Sequence, residues 1–387
     1  MTQTPDQKPP RAGAARGPSP QDDEPLLVVR DLSVVFPSRR TVARNGAGGG
    51  SGSGSDHGAV WAVDRLSLEI RRGETLALVG ESGSGKSMTA LSLLRLVPEP
   101  GRIASGEVRL AGEDLLRLPE AAMRRVRGDR IAMVFQEPMT SLNPVLSIGR
   151  QVAEAIRVHR RVSWRAALAR AGELLEQVAI PDARDRLDAY PHEFSGGMRQ
   201  RVMIAMALAC EPELILADEP TTALDVTVQA QILELLKRLT RERGTALMLI
   251  THDLGVVARY ADRVAVMYAG KLMEQGDARA VYARPRHPYT LGLMASVPRL
   301  DDPPGRRLVP IPGQPPDLSE LPPGCRFAPR CAFVHGRCRE ERPTLLQAPG
   351  AASGHLRSCF GFEEPSGPQG AGAPARAGTP AGEGTER

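Results

Sequence analysis

Short apolar runs alternate with amphipathic stretches along the middle of the chain. Four of the runs are continuous and have the length of a buried strand: residues 75–79, 131–135, 214–217 and 246–250. Two stretches, 86–96 and 226–243, carry apolar side chains at the spacing of a helix. Strands that alternate with helices predict an α/β fold, in which helices cover both faces of a parallel sheet.

Other regions depart from this alternation. Residues 148–160 and 163–178 carry arginines on one face and Ala, Val and Leu on the other, so they predict two amphipathic helices inserted between strands. Residues 26–36 and 61–70 have the alternating pattern of strands, and the first is predicted to lie at the edge of a sheet. Beyond residue 285 the chain is proline-rich and is predicted to be irregular.

The composition indicates which segments of the chain are folded and which are not. The chain of 387 residues is 41% hydrophobic and 25% charged, which is typical of a globular protein. Its 39 glycines and 34 prolines are concentrated in the ends, in the segment 45–58 and in the region 298–325. We therefore predict disordered tails at 1–24 and 363–387 and a flexible Gly/Ser insert at 45–58.

Charge and hydropathy exclude some classes of protein. The net charge of +5 allows contact with anionic partners but does not require nucleic acid. No apolar run approaches the roughly 18–20 residues of a membrane-spanning helix. No apolar segment follows the cations near the N-terminus, as it would in a secretory signal. We expect a cytosolic polypeptide that meets a membrane through its partners.

A glycine-rich motif separates the strand predicted at 75–79 from the helix that follows it. It has the P-loop pattern Gly-x-x-x-x-Gly-Lys-Ser, in which backbone N–H groups surround the β- and γ-phosphates of a nucleotide. Lys86 is expected to neutralise phosphate oxygens and Ser87 to hold Mg²⁺. A glycine-rich turn with a chance lysine is the alternative. The predicted nucleotide contacts in this motif are Gly80, Ser82, Gly83, Ser84, Gly85, Lys86, Ser87 and Met88.

Polar side chains follow three other predicted strands. Asp218 and Glu219 come after one apolar run, Gln136 after a second and His252 after a third. In P-loop enzymes a strand-end aspartate holds Mg²⁺, so we assign Asp218 to the metal and Glu219 to the attacking water. Gln136 could contact the metal or the water, and His252 could reach a γ-phosphate. Taken separately, each could also be an ordinary polar residue of a strand end or loop.

A second candidate anion site begins at Ser195. This residue is a good helix N-cap, and the two glycines after it allow backbone amides to approach a ligand closely. An ordinary capped helix start is the simpler interpretation of the same residues.

Together, in this order and spacing, these motifs resemble the ATP-binding cassette (ABC) ATPases. The resemblance implies an ABC ATPase domain at 25–275 that includes a helical subdomain at about 137–200. It also implies that two cassettes pair head to tail, with ATP held between the P-loop of one and the signature segment of the other. The signature residues would be Ser195, Gly196, Gly197 and Gln200.

The resemblance also implies roles for single residues. Glu219 would be the general base, His252 the contact to the γ-phosphate and Asp225 a link across the interface between cassettes. Mg²⁺ would be held by Ser87, Gln136 and Asp218. Phe36 would stack on adenine, with Trp61 as the alternative.

Further segments are similar to one branch of this family, the ATPases of oligopeptide and dipeptide importers. The segments are 135–144, 190–201, 287–291 and 321–331. The branch implies a peripheral subunit on the cytoplasmic side of the cell membrane, which hydrolyses ATP to power import. Its partners would be a second, non-identical ABC ATPase, two transmembrane permease subunits and an extracytoplasmic peptide-binding protein. Peptide is the expected cargo, with nickel or glutathione as alternatives.

A non-transport ABC ATPase that acts on nucleic acid or ribosomes is a weaker hypothesis. Such proteins carry long coiled coils, zinc modules or two cassettes in one chain. This sequence has one P-loop and a short insert between Gln136 and Ser195. We therefore expect no nucleic-acid partner.

Four of the five cysteines lie near the end of the chain, at Cys325, Cys331, Cys338 and Cys359. In a cytosolic protein such clustering indicates a metal site rather than disulfides. The gaps are wider than those of most structural zinc sites, whereas a 4Fe–4S cluster tolerates wide gaps. The predicted C-terminal extension, 276–362, is also similar to one associated with such a cluster. We predict a 4Fe–4S cluster, with Zn²⁺ or unliganded thiols as alternatives.

Overall fold

The computed structural model describes residues 24–37, 59–222, 224–297 and 310–362. The predicted tails, apart from Glu24, and the predicted Gly/Ser insert lie outside these ranges. The strands are β1 (Pro25–Phe36), β2 (Val60–Arg71), β3 (Thr75–Val79), β4 (Arg102–Leu110), β5 (Glu113–Asp114), β6 (Ile131–Val134), β7 (Leu214–Asp218), β8 (Ala246–Thr251), β9 (Arg263–Tyr268), β10 (Lys271–Asp277), β11 (Leu346–Gln347) and β12 (Leu356–Arg357). The helices are α1 (Lys86–Leu93), α2 (Glu120–Val126), α3 (Pro138–Ser141), α4 (Ile148–Arg160), α5 (Trp164–Gln177), α6 (Gly196–Leu208), α7 (Val226–Arg243), α8 (Leu254–Tyr260), α9 (Ala278–Ala283), α10 (Pro288–Ala295) and α11 (Gly336–Glu340).

The four predicted apolar strands lie together in a central sheet. Within the described residues its order is β11-β12-β10-β9-β3-β8-β7-β6, and the neighbours from β9 to β6 run parallel. Along β7, Leu214 and Leu216 belong to one buried cluster, whereas Ile215 and Ala217 belong to another. Both faces of the sheet are therefore covered, and the predicted α/β class is confirmed.

The prediction that the first strand lies at a sheet edge was wrong. Leu27 of β1 pairs with Ile70 of β2 on one side and with Leu110 of β4 on the other. In the described part of the chain these strands form an antiparallel sheet of order β2-β1-β4-β5. Within β1 the exposed residues are Arg30 and Asp31, and residues on both faces of the strand are buried. The sequence pattern of a strand carries no information about which strands pair along its edges. The sequence of β4, Arg-Ile-Ala-Ser-Gly-Glu-Val-Arg-Leu, is too polar to stand out as a strand.

The two predicted amphipathic helices are confirmed as α4 and α5. Their apolar side chains, among them Val152, Ile156 and Leu174, are buried with Val202 and Ile204 of α6. The inserted helices therefore pack directly against the helix that begins after Ser195.

The C-terminal extension continues the central sheet, so the expectation of an irregular segment was wrong in part. Glu274 of β10 pairs with Arg357 of β12, and β11 adds a further short strand. Tyr289 of α10 and Phe327 pack on Tyr268 of β9, with ring centroids 4.6 and 5.3 Å away. The extension thus shares a hydrophobic core with the ATPase part of the chain.

A buried ion pair also joins the extension to β2. The Asp64 carboxylate accepts a hydrogen bond from Arg326, whose side chain is 3% exposed. Arg326 also donates to the carbonyl oxygen of Ala269. Burial lowers the pKa of Arg326 to about 10, and the nearby Asp64 opposes this shift. Arg326 therefore remains charged at neutral pH and depends on Asp64 as its counterion.

Replacing Asp64 by Ala should lower the free energy of unfolding by about 3 kcal/mol, because Arg326 would be left buried without a counterion. Urea denaturation followed by circular dichroism measures this loss. The matched control is Glu341→Ala, which removes the partner of Arg337 in an exposed pair of the same extension. Such pairs contribute at most about 1 kcal/mol. Equal losses in the two variants would contradict this role of the Asp64–Arg326 pair.

Candidate nucleotide site

A cavity of about 600 Å³ lies at the carboxyl ends of β3, β7 and β8, beside the start of α1. Residues that follow neighbouring parallel strands meet at this edge of the sheet. Ala62, which the sequence analysis did not identify, contributes to the wall. The lining residues are Ala62, Ser82, Gly83, Gly85, Lys86, Ser87, Met88, Gln136, Glu219 and His252.

Two glycines of the P-loop are required by close backbone contacts. A Cβ atom at Gly80 would lie 2.1 Å from the carbonyl oxygen of Met267, and one at Gly85 would lie 2.2 Å from that of Ala62. Gly85 also has a φ of +106°, a conformation that L side chains rarely adopt. It precedes the first residue of α1, and within the described residues no side chain caps this helix. The uncapped backbone N–H groups of the first turn suit phosphate oxygens.

The Lys86 side chain is buried behind the loop. Its ammonium group donates to the carbonyl oxygens of Gly80, at 2.8 Å, and Glu81, at 3.1 Å. Burial lowers the pKa of Lys86, while Glu219, Asp218 and Glu81 raise it. A phosphate group bound beside Lys86 would favour the charged form further.

Ser87 and Asp218 form a pair of hard oxygen ligands at the end of β7. The Ser87 hydroxyl donates to Asp218 Oδ1 at 3.1 Å. Burial raises the pKa of Asp218, and the hydrogen bond from Ser87 opposes this shift. Hydroxyl and carboxylate oxygens are ligands that Mg²⁺ prefers, so Ser87 and Asp218 would hold this cation. Its charge would favour the ionised form of Asp218.

The Glu219 carboxylate is held by three neighbouring side chains. His252 Nδ1 lies 3.2 Å from Glu219 Oε1, while Gln136 Nε2 and Thr222 Oγ1 donate to Oε2 at 3.3 and 2.9 Å. The Glu219 backbone has a φ of +43°, which is strained for a residue other than glycine. Thr222 was not identified from the sequence, although its position three residues after Glu219 in a turn was the available signal.

The signature segment lies away from this cavity. Ser195 Oγ accepts from the Met198 amide at 3.3 Å and so caps α6, while Asp225 Oδ1 accepts from the Val228 amide at 3.0 Å and caps α7. A Cβ at Gly197 would lie 2.8 Å from the Val228 side chain. Among the residues that line the described cavity there are none of the predicted signature or interface residues, Ser195, Gly196, Gly197, Gln200 and Asp225.

The structure does not bring the two candidate adenine contacts into this cavity. Phe36 is half-buried, and a Cβ at Gly101 would come within 2.5 Å of its ring. Trp61 lines a different cavity, beside Leu318 and Arg326. Adenine stacking by Phe36 therefore stays a prediction.

The four C-terminal cysteines are free thiols within electrostatic range of one another. Burial raises the pKa of Cys331 to about 11, and the other three thiols add to this shift. Burial also raises the pKa of Cys325 and Cys359. Within the described ranges, no group of three or more His, Cys, Asp or Glu side chains has the geometry to hold a metal ion. The thiols share one small region, but they are not arranged as a compact single-ion site.

A P-loop between a parallel strand and a helix, with Asp218 and Glu219 at the end of a nearby strand, defines a P-loop nucleoside triphosphatase. The comparisons with known proteins narrow this class. The ABC transporter family model matches residues 63–222, and the model of the oligopeptide/dipeptide transporter C-terminal region matches residues 273–338. The chain belongs to the ABC transporter ATPases that carry this oligopeptide/dipeptide C-terminal region.

Similar proteins cover most of the chain. The oligopeptide transport ATP-binding protein OppD of Salmonella typhimurium is 48% identical over 88% of this chain and 95% of its own length. A Brucella melitensis protein named as a candidate peptide import ATP-binding protein is 51% identical over 83% of this chain and 94% of its own. The solved dimeric structure of MJ0796, a bacterial ABC transporter cassette, is 28% identical with a TM-score of 0.54, over 65% of this chain and 99% of that one. In the described part of this chain, no helix has the length and apolar character needed to cross a membrane.

Lys86→Ala should weaken ATP binding by about tenfold or more, because it removes the buried positive charge that faces the phosphates. Equilibrium binding of ATP to the full chain, measured by calorimetry, tests this expectation. Lys237→Ala is the matched control, since Lys237 of α7 does not line the cavity. Unchanged affinity in Lys86→Ala would contradict the assignment of this cavity to nucleotide.

Proposed function

We propose that this chain is the subunit that hydrolyses ATP to power the import of dipeptides or oligopeptides across the cell membrane. The observation that carries the proposal is the Glu219 carboxylate, which is fixed on the cavity wall by Gln136, Thr222 and His252. The C-terminal region and the names of the relatives support peptide as the cargo. Nickel or glutathione import is the second candidate within the same branch.

In this proposal the P-loop residues from Gly80 to Met88 bind the phosphates of ATP, and Lys86 neutralises the β- and γ-phosphate oxygens. Ser87, Asp218 and Gln136 would hold Mg²⁺, which supplies further charge neutralisation at the same phosphates.

Glu219 acts as the general base. A water molecule attacks the γ-phosphorus, and its proton passes to the Glu219 carboxylate. The bond between the γ-phosphorus and the bridging oxygen breaks, and ADP leaves with that oxygen. His252, which is 64% exposed, holds Glu219 Oε1 and is open to contact the γ-phosphate from the solvent side.

The signature segment would act on a second cassette. Its residues lie outside the cavity of their own chain, and Ser195 at the start of α6 is exposed. We propose head-to-tail pairing with a second, non-identical ABC ATPase, in which Asp225 links the two subunits. The pair would bind peripherally to two permease subunits on the cytoplasmic side of the membrane. An extracytoplasmic binding protein would deliver the peptide.

Glu219→Gln should leave ATP binding intact and nearly abolish hydrolysis, because an amide cannot accept the proton from water. In cells that lack the chain, the wild-type protein should restore growth on a peptide that supplies an essential amino acid. The Glu219→Gln variant should not. Phosphate release and ATP affinity of the purified chain give the second readout.

Two results would contradict this proposal. Hydrolysis at the wild-type rate in Glu219→Gln would overturn the assignment of the base. Growth on peptide without the chain, together with a loss of nickel or glutathione uptake, would exclude peptide as the cargo. The matched control is Glu234→Gln, an amide substitution in α7 away from the cavity lining.

We propose that the four C-terminal cysteines bind a 4Fe–4S cluster. The four thiols lie in one small region, and burial raises the pKa of Cys325, Cys331 and Cys359, whose thiols a metal would ionise. A cubane spans a larger volume than a single ion and accepts four separated thiolates.

Anaerobically purified protein should be brown and contain about four irons and four sulfides per chain. Cys331→Ser should lose the colour, whereas Cys210→Ser, at the buried cysteine outside the extension, should keep it. Metal analysis and visible absorption are the measurements. Colourless protein that contains stoichiometric zinc would contradict the 4Fe–4S proposal and support Zn²⁺ binding instead.

A further inference from the structure

The second residue of the P-loop is an acid that the nucleotide site does not require. Glu81 lies beside Lys86 and is one of the carboxylates that raise the pKa of that lysine. It is therefore within electrostatic reach of the position where phosphates are expected. A carboxylate near the phosphates whose charge is not balanced would repel a polyanion such as ATP.

Glu81 is neutralised by an arginine of the C-terminal extension. Arg330 Nη1 lies 2.6 Å from Glu81 Oε2, and Arg330 Nη2 lies 3.0 Å from Oε1. This bidentate geometry is the strongest form of an arginine–carboxylate pair. The Arg330 side chain is 5% exposed and that of Glu81 is 25% exposed, so the pair is largely buried.

Arg330 also forms hydrogen bonds with the extension and with β9. Its Nε donates to the carbonyl oxygen of Pro312 at 3.0 Å, and Nη1 donates to the Tyr268 hydroxyl at 3.3 Å. The extension also contacts the backbone of the loop, since the Glu81 amide donates to the hydroxyl of the fully buried Tyr289 at 2.9 Å. Side chain and backbone of Glu81 are both fixed by residues of the extension.

We propose that Arg330 is a positioning residue of the nucleotide site, which lets a P-loop that contains Glu81 accept ATP. It cancels the charge of Glu81 and turns the carboxylate toward the extension and away from the phosphates. The C-terminal extension is then part of the ATP site and not an appendage to it. This inference rests on the proposed binding of ATP at the P-loop.

Four versions of the full chain test the proposal: wild type, Arg330→Gln, Glu81→Gln and the double variant. Arg330→Gln should weaken ATP binding about tenfold and raise the KM for ATP, with kcat changed less than twofold. The double variant should return to within about threefold of wild type, because the repelling carboxylate is gone. Glu81→Gln should bind ATP at least as tightly as wild type, because it removes the negative charge of Glu81 and keeps the positive charge of Arg330.

The salt dependence separates a charge effect from a packing effect. The difference in ATP affinity between Arg330→Gln and the wild type should become smaller as ionic strength rises. Arg330→Lys should recover part of the affinity for ATP. The matched control is Arg337→Gln, which removes an exposed arginine of the same extension and should leave ATP affinity unchanged.

Two outcomes would overturn the proposal. The first is wild-type ATP affinity in Arg330→Gln, and the second is a double variant as weak as the single one. If Arg330→Gln does not fold, Glu81→Gln alone decides, and weaker ATP binding in that variant would overturn the proposal. If Lys86→Ala loses ATP binding and Arg330→Gln binds ATP as the wild type does, the role of Arg330 is rejected and the nucleotide site is retained. A wild-type chain that binds no ATP would reject the proposed function itself.

Discussion

The P-loop is fixed by backbone contacts that leave no space for a side chain. Gly80 lies against the carbonyl of Met267 at the end of β9, and Gly85 against that of Ala62 in β2. Gly270 joins the same parts of the molecule, because its amide donates to Ser84 and its carbonyl accepts from Asp64. The antiparallel sheet and the central sheet must therefore both be in place before the loop can take this conformation. A substitution in either sheet would therefore alter the conformation of the P-loop, even where it changes none of the residues that line the cavity.

Three carboxylates lie close to the proposed phosphate site, and the negative charge of each one is balanced in a different way. Asp218 accepts a hydrogen bond from Ser87 and is placed to share a cation with it. Glu219 is surrounded by donors, so its charge is held on the cavity wall where a proton acceptor is useful. Glu81 has no such role within the site, and its charge is balanced by Arg330 from the extension. Burial of Lys86 makes these compensations matter, because charges interact strongly where water is excluded.

Local patterns predicted most of the fold and of the cavity, and long-range contacts account for what they missed. The strand–loop–helix at the P-loop and the helices α4 and α5 are specified by neighbouring residues, and they were found. The position of β1 depends on pairing with the polar strand β4, and the pairing of Glu81 with Arg330 joins residues 249 apart in sequence. Nothing in the sequence around the loop carboxylate or around the arginine beside a cysteine indicates that the two side chains pair. Only the shared core of the extension and the ATPase brings them together.

Gly197 of the signature segment has a packing role that does not depend on any contact with ATP. Gly197 allows α6 to approach Val228 of α7, which is sufficient reason for a glycine there. The same approach leaves the start of α6 uncovered at Ser195 and Gly196, on a surface apart from the cavity. If that start contacts ATP, the ATP must be bound to another chain. By thermodynamic linkage ATP would then tighten the pairing of the two chains by as much as the pairing tightens ATP. In the proposed pairing the two half-sites would lie on different surfaces of the chain, so nucleotide binding and association of the subunits would be coupled.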